Sequence, residues 1–111
     1  MKYSAGSGKN MAMKKYRVRY LSIANLDLMV IDEQLGAFLA KAARFFSILD
    51  KQAPQLADMP VMHPIYDDIS LYRKMVVLDY LVFYIVNETK KTVDIHRIIN
   101  GKMDVQRQFA N

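Results

Sequence analysis

The last third of the chain sets three β-rich runs, Leu71–Leu78, Leu81–Val86 and Thr92–Ile99, between connections too short for a crossover. A parallel return needs a dozen or more residues, usually a helix. Here only Asp79-Tyr80 and Asn87–Lys91 (NETKK) separate the runs. Those lengths allow adjacent antiparallel strands. One face of such a meander has to be covered by an apolar layer from elsewhere in the chain.

That cover is legible upstream. Leu28, Ile31, Leu35, Phe38, Ala42, Phe45, Leu49, Ala53 and Leu56 recur at steps of three and four, the apolar stripe of a helix. Gly36 interrupts the pattern and Pro54 falls near its end, and both residues are unfavourable inside helices. The segment 22–56 is therefore expected to form a helical hairpin broken near Gly36, with Ser22 as a possible N-cap and a kink or stop before Pro54. Lys14–Leu21 (KKYRVRYL) alternates, with Tyr16, Val18 and Tyr20 on one face and Lys15, Arg17 and Arg19 on the other, as a half-buried strand does. Ala57–Ile69, with two prolines and paired aspartates, reads as a loop. The order β-α-α-β-β-β predicts an α+β fold, a helical hairpin packed on one face of a four-stranded, mainly antiparallel sheet.

With 111 residues, 52% of them hydrophobic, the chain is long enough for one domain with a real core. The absence of cysteine excludes disulfides and thiolate metal sites. Uninterrupted apolar runs fall far short of the roughly 20 residues that span a bilayer, and no signal peptide is visible. A soluble, cytoplasmic protein without membrane contact is expected. The net charge of +5 is concentrated at one end: residues 1–19 carry Lys2, Lys9, Lys14, Lys15, Arg17 and Arg19 and no acid, leaving the remainder at −1. Residues 1–13 read as a flexible leader, either a cloning scar or the product of an upstream start codon, ahead of a domain over 14–111. The GSGK within the leader is not a phosphate loop, because the earlier glycine is misplaced, Asn10 stands where Ser or Thr would hold magnesium, and no strand precedes it.

The order of elements, Met59-Pro60 after the helical region, YRKMVVLDYLVFYIV from Tyr72 and VDIHRIINGKMD from Val93 resemble the RelE/ParE superfamily of bacterial toxins. The likeness runs from Tyr16 to about Phe109 and is sharpest between Tyr72 and Asp104. It implies the toxin half of a type II toxin–antitoxin pair, neutralised by an antitoxin that wraps a segment around it. The RelE branch cuts mRNA on the ribosome, and the ParE branch poisons DNA gyrase. In the RelE branch, basic side chains and a tail tyrosine serve the cleavage. Carried onto this chain, those places hold Leu81, about Met103 and Phe109, none of which can donate a proton or stabilise phosphate charge. The resemblance is therefore ParE-like rather than RelE-like.

The remaining chemistry centres on His96. Period-2 alternation puts Asp94 and His96 on one face of the last strand and Val93, Ile95 and Ile99 on the other, core-facing one. Asp94 could raise the basicity of His96; the bland alternative is a strand histidine without chemistry. Arg97 and Arg73 share the parity of core residues and could snorkel from the sheet, or pair with Asp67 or Asp68. His96, Arg97 and Arg73 are the candidates if the protein is a nuclease. Arg17, Arg19, Lys74, Tyr84 and His96, with Lys102 beyond the last strand, are expected on an open face that contacts phosphate or an antitoxin. His63, the other histidine, lies in the loop, and the two do not make a metal site; no cofactor is expected. Three functions stay open: a toxin binding a protein such as gyrase, a ribosome-dependent mRNA endoribonuclease, and an inactivated toxin fold kept as a binding module.

Overall fold

A computed structural model describes residues 15–66, 69 and 71–102. The proposed leader and the tail positions Met103 and Phe109 lie outside the described residues, as do Asp67 and Asp68. The elements run β1 (Arg17–Tyr20), α1 (Ser22–Leu35), α2 (Leu39–Gln52), a 3₁₀ helix (Ala53–Ala57), β2 (Arg73–Val77), β3 (Tyr80–Asn87) and β4 (Thr92–Asn100). The sheet order is β1-β4-β3-β2. β2–β3 and β3–β4 are antiparallel hairpins, as their short connections require, while β1 lies parallel to β4 after the long helical crossover.

Both helices cover the same sheet face. Ala24, Ile31 and Leu35 of α1 and Ala42, Phe45 and Leu49 of α2 pack on Met75, Val77, Val82, Tyr84, Val93 and Ile95. The break between the helices falls at Gly36, and α2 ends at Gln52, because Pro54 has no N–H to continue the ladder. Ser22 is not the N-cap. It is the first helical residue, and the extended Leu21 before it offers no side-chain cap. The β2–β3 turn places Leu78 at φ 54°, a left-handed conformation uncommon for a bulky residue. Gly101 closes against that turn: its N–H donates to the Asp79 carbonyl at 2.7 Å, and a Cβ there would sit 3.2 Å from the same oxygen.

One irregularity corrects the alternation read from the sequence. Tyr84 pairs with Ile95 but Phe83 pairs with Arg97, so His96 is an extra, unpaired residue in β4. This is a β-bulge, and it inverts the parity of everything after it. Val93 and Ile95 face the core as expected, but Ile98 takes the next core place. Ile99 stands opposite Leu81 on the other face, and Arg97 stands opposite Phe83 there.

The bulge generates a test. Deleting His96 leaves Ile95 opposite Tyr84 and Arg97 opposite Phe83, so both halves of β4 keep their pairing. The deletion variant is expected to unfold cooperatively in urea with a loss of about 1–2 kcal/mol. Deleting Val93 instead slips the apolar set to the wrong face, and should abolish the cooperative transition.

Candidate functional site

The sheet face away from the helices has two unequal halves. Over β2 and β3 it is covered by the segment between the 3₁₀ helix and β2. Phe83, fully buried, meets the rings of Tyr66 at 5.1 Å and Tyr72 at 6.2 Å, both edge-on. Tyr72 also packs edge-on against His96 at 5.2 Å, with its hydroxyl 3.2 Å from His96 Nδ1. Lys74 reaches over the Tyr66 ring, 5.7 Å from its centre. Over β1 the face is more open. Arg19 donates from Nε to Asp94 Oδ1 at 2.8 Å, and Arg17 is exposed with no side-chain partner among the described residues.

The bulge aims His96 at Tyr72. Burial pushes the imidazole below its ordinary value, and the opposing field of Asp94 does not reverse this. Asp94 thus pulls His96 toward higher basicity, as expected, but burial outweighs it. Asp94 is already engaged by Arg19, whose guanidinium holds the carboxyl below its usual range against the contrary pull of burial.

The other two nuclease candidates are built into the scaffold. Arg97 forms a two-pronged pair with Asp27 of α1, Nε to Oδ2 at 2.8 Å and Nη2 to Oδ1 at 3.1 Å, and Oδ2 also accepts the Ile98 N–H at 2.9 Å. Arg73 donates from Nη1 to the His63 carbonyl at 2.7 Å. Tyr84, expected on the open face, is buried in the helix-side core; its hydroxyl donates to the Pro60 carbonyl at 2.8 Å, and burial pushes it up to about 12. Arg73 sits directly opposite Tyr84, so these two residues anchor the covering loop. Lys102 is exposed just beyond β4. The expected basic residues thus do not converge: Arg19 and Asp94 meet, His96 and Tyr72 meet, and Lys74, Arg17 and Lys102 stand apart from them. Leu81 is half-buried opposite Val76 and Ile99. Among the described residues no three His, Asp or Glu side chains gather as metal ligands, and no helix is long and apolar enough to cross a membrane.

A second surface lies on the helical hairpin, which is also expected to meet an antitoxin. Ile23, Leu26, Met29 and Val30 line the outer side of α1, with Leu26 58% and Met29 67% exposed. Phe38 and Leu39 are exposed at the hairpin bend. The signal was present in SIANLDLMVIDEQL, which holds more apolar residues than one core stripe uses. Contiguous exposed apolar side chains of this kind mark interaction surfaces.

His96 gives a pH test. Its protonation is suppressed in the fold, so the unfolded chain binds the proton more readily. Stability should therefore fall as pH drops below about 6.5 and level off below the lower folded-state value. The urea midpoint is expected to be lower at pH 5 than at pH 7, and His96→Gln should reduce that difference. A residual slope would come from His63, also pushed down by burial. An unchanged slope in the variant would remove His96 as its source.

The family model for the ParE toxin of type II toxin–antitoxin systems, parDE, matches residues 18–105. Comparison with curated proteins gives no match. Among solved structures, the chain is similar to the crystal structure of the RelBE2 toxin–antitoxin complex from Mycobacterium tuberculosis, at 21% identity and a TM-score of 0.52, covering 78% of this chain and 98% of that one. At that identity the likeness speaks for the fold. The family match takes in both helices and extends from within β1 past the end of β4, and the chain belongs to the ParE toxin family of type II toxin–antitoxin systems.

Proposed function

We propose that this protein inhibits growth by binding a protein target such as DNA gyrase in the cytoplasm, and that a cognate antitoxin neutralises it. The observation that carries the target reading is the engagement of Arg97. Cleaving RNA through its 2′-hydroxyl needs cations free to meet the charge that builds on phosphorus. Arg97 is instead committed to Asp27, Arg73 to a backbone carbonyl and Arg19 to Asp94. Leu81 supplies nothing at the remaining position. The antitoxin reading is supported by the apolar outer face of α1, which suits the apolar side of an amphipathic segment.

A second reading, ribosome-dependent endoribonuclease, is favoured by one observation: the bulge places a neutral imidazole and a phenol within 3.2 Å, two groups able to pass a proton. Gyrase supercoiling assays and primer extension on translated message separate the readings. Inhibited supercoiling with intact message is the expected result. Codon-phased cuts that vanish in His96→Ala would establish the nuclease instead, and silence in both assays would leave an inactivated binding module.

The docking face has its own test. Leu26→Glu and Met29→Glu alter exposed positions, so each should fold with an unchanged thermal midpoint. Together they are expected to weaken capture of a cognate antitoxin by about 100-fold, since such anchors carry most of an interface's energy. Undiminished capture would move the antitoxin off α1.

A further inference from the structure

Between α1 and the far end of β4 lies a cavity of about 190 Å³ that the proposed function does not use. Asp27, Ile31 and Gln34 line it from α1, Arg97 and Asn100 from β4, and Tyr80 from the start of β3. Most of its polar groups are partly engaged. Asp27 has committed both carboxylate oxygens, to Arg97 and to the Ile98 N–H. Arg97 has committed two of the five N–H groups that a guanidinium carries. The Asn100 side-chain carbonyl accepts the Lys102 N–H, which leaves its amide NH₂. Tyr80 differs from these. It is only 5% exposed and its ring is held edge-on against Phe45 at 5.0 Å, yet its hydroxyl has no hydrogen-bond partner among the described residues. Among those residues Thr92 Oγ1 is the one fully enclosed side-chain polar atom without a partner, so the Tyr80 hydroxyl is not sealed in and opens on the cavity that Tyr80 borders.

We propose that this cavity binds one uncharged six-membered ring bearing carbonyl groups, namely a pyrimidine base, supplied either as a free nucleoside or within an RNA chain. Three features set that class. The first is size: a cavity of about 150 Å³ holds a single benzene ring, so this one has room for a monocycle and not for the fused rings of a purine. The second is charge. Asp27 and Arg97 cancel, and no other charged side chain lines the cavity, so a charged ligand would lose its hydration with nothing to offset the loss. The third is hydrogen bonding. The groups left over on Arg97 and Asn100 are donors and the Tyr80 hydroxyl can donate, which calls for acceptors on the ligand, and ring carbonyls supply them. The exposed Gln34 amide, at the mouth, can accept from a ring N–H. A purely apolar occupant, such as a partner's phenylalanine, fits less well, because it would cover the Tyr80 hydroxyl and leave it unbonded.

The test uses the full chain alone, because Val30 borders both the cavity and the exposed face of α1. Uridine is titrated in and followed by NMR at the side-chain amides of Gln34 and Asn100. A saturable shift with a Kd on the order of 1 mM is expected, ordinary for so small a ligand. Tyr80→Phe should weaken binding about tenfold, as the loss of one hydrogen bond does. The variant should melt with the parent, since the hydroxyl has no protein partner to lose. Adenosine and orotate should both bind more weakly than uridine, the first on size and the second on charge. A short oligouridylate separates the sources of the base. Tighter binding per base that is lost in Tyr80→Phe assigns the site to an RNA chain, and equal binding per base assigns it to the free nucleoside. The absence of a saturable shift with uridine overturns the proposal, as does undiminished binding in Tyr80→Phe. Adenosine binding as tightly as uridine overturns the monocyclic ligand. Toluene binding as tightly makes the cavity an apolar slot, and that outcome overturns the pyrimidine as its occupant. These ligand comparisons are made on the unaltered chain, so they stand whether or not the variant folds.

Discussion

β4 continues from His96 to Asn100 past the last residue paired with β1, and the carboxylate of Asp27 takes over where that strand stops. It accepts the Ile98 N–H that an adjoining strand would have bonded, and it holds the Arg97 guanidinium with both oxygens. A single side chain thereby fixes the height and rotation of α1 on the sheet. A charge-assisted, two-pronged pair has the directionality to do this, which apolar packing lacks. The position of the α1 outer face, the shape of the helix-side core and the unavailability of Arg97 for chemistry all follow from that one carboxylate.

The covering loop depends on a related device. Tyr84 and Arg73, facing each other across β2 and β3, each donate to a carbonyl of the loop, at Pro60 and His63. The loop then lays Tyr66 and Tyr72 over Phe83 on the opposite side of the sheet. The sheet is thus buried on both faces over β3, which accounts for the fully buried Phe83, Val82 and Tyr84 in succession. Such a run has no alternation to read, so nothing in LVFYIV announced which residue faces which side.

The architecture itself was legible, because short connections and periodicity are local. The meander, the hairpin break at Gly36, the halt before Pro54 and the core places of Val93 and Ile95 all follow from near-neighbour chemistry. What could not be read was the bulge at His96, since an unpaired residue leaves no mark on its own strand. It exists only in the register with β3. Arg97 and Ile99 were misplaced for that reason, and Asp27 was overlooked as a partner because 70 residues separate it from Arg97. The candidate site fared worse than the fold, as charged residues that look available in a sequence were claimed by backbone and carboxylate partners in space.

The outer face of α1 has a consequence for how the unaccompanied protein behaves in bulk. Two turns of helix bearing Ile23, Leu26, Met29 and Val30 give one molecule a sticky patch that a neighbour's can meet. Encounters of that kind rise with the square of concentration, whereas folding and function do not. The colloidal solubility of the lone chain therefore sets a ceiling on how much of it can accumulate free, separate from any binding constant. Met29 adds a chemical clock to that ceiling, since an exposed thioether oxidises to a polar sulfoxide on a patch whose properties depend on being apolar.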